Sequence, residues 1–243
     1  MSVSVIIPAR YKSSRFEGKP LALINGKPMI LHVAEKCSMA VGKENVYVAT
    51  DDNRIECVAI NNGFKAVMTN IHHCCGSERV LEVSELIDSE IIINVQGDEP
   101  LLKPDDLIKV IEAKRNYYNI EYVVNCYCED TENIENLNTP KVVIDKDNNL
   151  IYISRHPIKG NSSVYKKQVG IYAFYKNQLK KGFGWLEKEK HGLERYENIE
   201  ILRLIENGMK VKMLKLDSKY QSVDVPEDIK KVEAILNEHE RSK

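Results

Sequence analysis

Short β-rich runs that alternate with stretches of helical periodicity, each run closing on a polar loop, most tightly limit how this chain can fold. Residues 3–8 (VSVIIP) form the first run, 45–50 (NVYVAT) the second and 90–95 (EIIINV) the most apolar, with a shorter one at 65–68. Between them, residues 28–40 carry Met29, Ile30, Val33 and Ala34 at helical spacing, and 53–62, 78–87 and 103 or 104 to 115 also read as helices. Gly63 suits a helix stop and Ser77 a helix N-cap. Strands alternating with helices make βαβ units, which require a mainly parallel sheet. Such sheets bind ligands at the carboxyl ends of their strands. The loops after Pro8, Thr50 and Val95 are three such ends, all polar or charged, so they point to one shared site.

The second half changes character. Residues 121–129, 141–145, 149–154 and 168–174 read as strands with few helices between them. Helices return at 176–188 and 198–207, a strand follows at 210–216, and 226–239 is a closing helix with Pro226 in its first turn. The extra strands predict a lobe or arm, at about 121–220, added to a single α/β domain spanning 1–243. A chain of 243 residues can bury a core of that size. The polar stretch 159–167 is expected to be a mobile loop.

A formal net charge of -1 argues against a nucleic-acid polymer as partner, because polymer binders carry a basic excess. The cations instead gather locally, at Arg10, Lys12, Arg15 and Lys19, as a small anion requires. Residues 1–8 lack a secretion leader's basic start, and no stretch is long and apolar enough to span a bilayer. The expected setting is therefore cytoplasmic, without membrane insertion. The six cysteines are then expected as free thiols. Cys74-Cys75 and Cys126-x-Cys128 are spaced too closely for a zinc ligand set, and alternation places Cys126 and Cys128 on one strand face.

Four segments carry chemistry. The loop from Pro8 to Pro20 offers four cations, the hydroxyls of Ser13 and Ser14, and Gly18 at a strand end. Fixed positive charge with free N–H groups is what a triphosphate needs, although a solvated basic turn has the same composition. It matches neither the Walker nor the dinucleotide glycine pattern. Gln96-Gly97-Asp98-Glu99-Pro100 sets a carboxylate pair after a very apolar strand, which is costly unless it meets a ligand or cation. Mg²⁺ is favoured for Asp98, with Glu99 left open and helix capping the competing use. Asp224, before Val225-Pro226, reads by itself as a helix cap, and Asp51 and Asp52 as turn residues. His72-His73-Cys74-Cys75 cannot all point inward from a regular element, so a loop wrapping a ligand fits better than a metal cluster, with Arg79 on the next helix.

Taken in order, IIPARYKSSRFEGKPL, INGKPMI, VATDD, HHCCGSERV, NVQGDEP, YISR, VGIYAF, IEILRL and VDVPEDI resemble the CMP-Kdo synthetases, the 3-deoxy-manno-octulosonate cytidylyltransferases, over nearly the whole chain. The resemblance implies a glycosyltransferase-A-like α/β fold and a homodimer with a β-rich dimerisation arm. It implies CMP transfer from CTP to a 2-keto-3-deoxy sugar acid, Kdo or a derivative such as 8-amino-Kdo, with pyrophosphate released, for lipopolysaccharide or capsule synthesis. By position, Arg10, Ser13, Lys19, Arg79 and Gln96 would bind the nucleotide, and Lys19, Arg15 and Asp98 would carry the chemistry. Asp98 and Asp224 would hold Mg²⁺. Arg155, Gln168, Tyr172 and Glu200 would line the sugar-acid pocket, with Arg155 suited to a carboxylate. Another sialic-type acid, or a non-catalytic nucleotide-binding paralogue, are the alternatives.

The departures from the family pattern are specific. Cys75 and Ser77 take the Ser and Thr positions of the usual His-x-Ser-Gly-Thr loop, Gln168 replaces a His, and Ile201 replaces a Gln after Glu200. Lys159 and Glu17 each replace a Pro. Cys75, Gln168 and Ile201 are expected to face the sugar acid, where losing a donor or acceptor would matter.

Overall fold

The first half of the chain runs β1 (Val3–Ala9), β2 (Leu23–Ile24), β3 (Lys27–Pro28), α1 (Met29–Val41), β4 (Val46–Thr50), α2 (Asn53–Asn61), β5 (Lys65–Met68), α3 (Gly76–Glu85), β6 (Ile91–Val95) and α4 (Pro104–Asn116). The second half runs β7 (Tyr122–Asp130), β8 (Lys141–Ile144), β9 (Leu150–Ser154), β10 (Tyr165–Tyr175), α5 (Lys176–Phe183), α6 (Gly192–Glu197), α7 (Leu202–Glu206), β11 (Lys210–Lys215) and α8 (Asp228–Arg241). This computed structural model describes residues 1–117, 122–132, 134–158, 163–184 and 192–241.

Nine of the described strands form one sheet along β11-β7-β10-β6-β1-β4-β5, with β8 attached to β10 and β9 to β8, and β2 pairs with β3 in a separate two-stranded sheet. β5, β4, β1 and β6 are mutually parallel, and β10 enters antiparallel between β6 and β7. The result is a mainly parallel mixed sheet flanked by helices, as the strand–helix alternation predicts.

Side chains alternate across the sheet, so each strand feeds two cores. Val5, Ile7, Ile91 and Ile93 pack on one face with Ile30 and Val33 of α1 and Leu107 and Val110 of α4. Ile6 and Ile92 pack on the other with Val80 and Val83 of α3 and Leu179 of α5. Fully burying each such side chain is worth about 1.5–3 kcal/mol. Cys126 and Cys128 share the first face while Tyr127 turns to the second, and all six cysteines are free thiols. Among the described residues, no helix is long and apolar enough to cross a membrane.

Three local expectations change. Helix α3 starts at Gly76 with Cys75 at its N-cap, so Ser77 is not the cap. Its hydroxyl is spent instead on Glu200, 2.9 Å away, and on Asn94. The span 198–207 is not one helix, because Asn198 adopts a left-handed φ of 55° and breaks it before α7. Asn tolerates that conformation through its short polar side chain. Residues 165–167 belong to β10 rather than to a mobile loop. Lys159, and residues 185–188 of the expected helix after β10, lie outside the described residues.

Candidate functional site

The loop after β1 is folded back on itself before it reaches the site. Gly18, at φ 67°, donates its N–H to the Tyr11 carbonyl at 2.9 Å, and the Arg54 guanidinium stacks on the Tyr11 ring at 3.4 Å. That closure puts Lys19 in a short 3-10 turn, Lys19–Leu21, facing the carboxyl end of β6. Lys19 Nζ donates to Asp98 Oδ2 at 2.7 Å and to the Val223 carbonyl at 2.9 Å. The Val223 N–H in turn reaches the Asp98 carbonyl at 3.0 Å, so the segment carrying Asp224 runs beside Asp98. Arg15 pairs with Asp224 Oδ1 at 2.9 Å and donates to Asn138 Oδ1 at 2.5 Å, tying the loop to the segment between β7 and β8.

Two carboxylates from distant segments thus converge. Burial, and then the charge of Asp98, pushes Asp224 above the usual carboxylate range. Asp98 does not cap α4, whose N-cap is Lys103. Among the described residues there is no group of three or more metal-ligating side chains, so the protein builds no closed cage. Mg²⁺ is typically held by one or two carboxylates together with substrate phosphates and water, and that oxygen-only pair fits it. Glu99, by contrast, faces inward. Its Oε1 accepts from the Gly170 N–H at 2.9 Å and from Ser222 Oγ at 3.1 Å, while Oε2 is buried without a partner among the described residues. Burial, and then Asp98, pushes Glu99 up to about 7.

Gly170 is the hinge of this arrangement. The β10–β7 register shifts between Val169 and Tyr172, a bulge in which Gly170 also accepts the Gln96 N–H at 2.8 Å. A Cβ there would meet Gln96 Cβ and Cγ and Glu99 Oε1 at 3.0 Å, so any larger residue would push the loop after β6 back by a few tenths of an ångström.

Arg79 is buried and paired with Asp51 at 2.8 Å and with the Thr69 hydroxyl. Burial lowers its pKa, opposed by Asp51. Asp51 sits just after β4, so the three strand ends do meet at one site. Asp52 is a turn residue in the expected sense, capping α2 by accepting the Arg54 N–H at 2.9 Å. Glu200 is held by the Ser77 N–H at 3.0 Å, the Ser77 hydroxyl and Gln96 Nε2 at 3.1 Å.

Arg155 directs its donors to four backbone carbonyls, those of Glu197 at 2.9 Å, Leu137 at 3.2 Å, and Asn138 and Asn198 at 3.3 Å. A bidentate grip on a carboxylate would compete with the three longer contacts. Tyr172 is buried, which raises its pKa well above the ordinary value, so its hydroxyl stays protonated. Gln168 and Cys75 line the cleft, but Ile201 is fully buried in the core with Leu202 and Leu204. The expectation that Ile201 faces the second substrate is therefore wrong: the apolar side chain turned inward, and only Glu200 of that pair reaches the cleft.

One cleft gathers the expected residues. Arg10, Ser13, Arg15, Lys19, Arg79, Gln96, Asp98 and Asp224 line it, and so do Arg155, Gln168, Tyr172 and Glu200. His73 and Cys74 line it too, consistent with a wrapping loop. Sequence reasoning missed Asp51 as the Arg79 counter-ion, Asn138 as the Arg15 partner and the anchoring role of Glu99. Gly170 inside a strand pattern was a readable signal for the bulge.

Comparisons with known proteins find relatives over nearly the whole chain. A family model described as cytidylyltransferase matches residues 4–212. The chain is 39% identical to the 8-amino-3,8-dideoxy-manno-octulosonate cytidylyltransferase of Shewanella pealeana, covering 97% of this chain and 99% of that one. It is 35% identical to the 3-deoxy-manno-octulosonate cytidylyltransferase of Escherichia coli, covering 96% and 95%. A solved CMP:2-keto-3-deoxy-manno-octonic acid synthetase complexed with CTP superposes with a TM-score of 0.87 at 34% identity, covering 98% of this chain and 100% of that one.

Proposed function

The chain belongs to the cytidylyltransferase family, and from that membership and the cleft we infer a Mg²⁺-dependent transfer of CMP from CTP to the anomeric hydroxyl of a 2-keto-3-deoxy sugar acid. The acceptor is Kdo or a close derivative such as its 8-amino form, and pyrophosphate leaves. The observation that carries this reading is the bridge from Lys19 to Asp98 and Val223, which joins the cationic loop to both carboxylates.

Lys19 and Arg15 are counter-ions to Asp98 and Asp224. Triphosphate oxygens can take over those cations, which frees the carboxylates for a divalent ion. Mg²⁺ held by Asp98 and Asp224 would neutralise phosphate oxygens and lower the cost of deprotonating the attacking hydroxyl. Lys19 then faces the charge that develops on pyrophosphate, where a fixed cation in a partly buried site acts most strongly. The Arg79–Asp51 pair and Gln96 hold the nucleotide side rigid, and Glu200, clamped by Ser77 and Gln96, offers its remaining lone pairs to the sugar acid.

A non-catalytic paralogue fits less well, because binding alone requires neither carboxylate. Leu137, Ile151, Ile158 and Val164 are exposed apolar residues of the arm, which supports a homodimer formed through it. On this reading the product serves lipopolysaccharide or capsule synthesis, and the enzyme works in the cytoplasm. The test is pyrophosphate release with CTP, Mg²⁺ and the sugar acid each left out in turn. Release should require all three; release indifferent to every sugar acid would remove the transferase reading.

A further inference from the structure

On the sugar-acid side of the cleft, the orientation of one amide is dictated from beneath. Where β10 bulges at Gly170, the fully buried Asn125 of β7 fills the break in the ladder. Its Nδ2 donates to the Val169 carbonyl at 3.1 Å and to the Ile171 carbonyl at 2.8 Å. A carbonyl can only accept, so these two contacts fix which end of Asn125 is the amine. The other end, Oδ1, is then an acceptor, and Gln168 Nε2 lies 3.0 Å from it. Gln168 must donate there, and the same Nε2 lies 3.3 Å from Tyr172 Oη.

The two ends of an amide point apart. With Nε2 held against Asn125, Gln168 Oε1 points away from Asn125 Oδ1, and it has no hydrogen-bond partner among the described residues. Gln168 is half-buried and lines the cleft. Turning the amide over would set its oxygen against Asn125 Oδ1 and leave a buried acceptor unpaired.

We propose that Gln168 is a specificity-determining residue presenting a fixed acceptor to the sugar acid, and that Asn125 is the positioning residue that fixes it. The cleft therefore takes a sugar acid whose facing group donates a hydrogen bond, a hydroxyl or an ammonium, and rejects one whose group only accepts. The proposal rests on the reading of this cleft as a sugar-acid cytidylyltransferase site.

The experiment measures kcat/KM for the accepted sugar acid and for analogues with each non-anomeric hydroxyl replaced in turn by fluorine, which cannot donate. At one position fluorine should lower kcat/KM of the wild type by about 10- to 100-fold. Gln168→Met should lower kcat/KM for the parent acid by a similar factor and erase the discrimination at that position alone. A second variant tests the lock without disturbing the buried Asn125. Gln168→Glu can donate to Asn125 Oδ1 only when protonated, so its kcat/KM relative to wild type should rise as pH falls. A fluorine profile unchanged by Gln168→Met, or a Gln168→Glu ratio flat with pH, overturns the proposal while leaving the transferase intact. Transfer to no sugar acid at all by the wild type removes both readings.

Discussion

Lys19 Nζ sits 2.7 Å from Asp98 Oδ2 and 2.9 Å from the carbonyl of Val223, so one ammonium joins the first loop, the end of β6 and the segment before α8. These segments are far apart in sequence. Removing the charge should cost chemistry more than folding, because the pair keeps some solvent contact, at 16% and 27% side-chain exposure. Lys19→Met is expected to reduce kcat at saturating CTP by about 100- to 1,000-fold, with an unchanged circular dichroism spectrum. Near-normal kcat would take Lys19 out of the reaction.

Asp98→Ala should abolish turnover while the fold persists. Asp224→Asn keeps the shape and loses a charge, so the Mg²⁺ concentration for half-maximal rate should rise. Its stability effect should be small, since the Arg15 partner is 41% exposed and such pairs contribute about 0–1 kcal/mol. A Mg²⁺ titration of both variants checks this; an unchanged Mg²⁺ requirement in Asp224→Asn would place the ion elsewhere.

Gly170→Ala puts a methyl group 3.0 Å from Gln96 and Glu99 at a bulge that both residues anchor. Overpacking of this kind costs about 1–3 kcal/mol. The urea midpoint should fall accordingly, and activity should fall further than stability because the Asp98 loop is displaced.

His73 has Nδ1 3.8 Å from Glu78 Oε2 and Nε2 2.5 Å from Glu82 Oε2. Glu78, and then Glu82 against the opposing cost of burial, raises its pKa above the ordinary 6.5. A raised folded-state pKa means the folded protein binds the proton more tightly than the unfolded chain. The stabilisation is complete below pH 6.5 and is lost as pH rises through the folded-state value. Melting temperature measured against pH should therefore fall through that window in the wild type, and His73→Gln should remove that part of the fall.

The strand ends and the cationic loop were legible because they depend on local pattern. A short continuous apolar run ending in a charged loop has few readings in an α/β chain. Arg15, Lys19 and Asp98 stood out by their place in loops after apolar strands, whereas Asp224 looked like a helix cap until the family resemblance placed it. What was hidden depends on tertiary pairing. Nothing near Asp51 says that Arg79 will be its partner, and Ile201 reads as a substrate-facing position until the core claims it. Asn125 lies in a strand run whose neighbours are apolar, and its purpose appears only once the Gly170 bulge exposes two carbonyls beside it.

The most direct test of the central claim is the mass of the product formed from CTP and Mg²⁺ with a panel of 2-keto sugar acids. A CMP-linked 3-deoxy-octulosonate or its 8-amino analogue, formed with one pyrophosphate per transfer, is the predicted result. CTP consumed without any CMP–sugar adduct, or CTP bound and left unchanged with every acid, would contradict it.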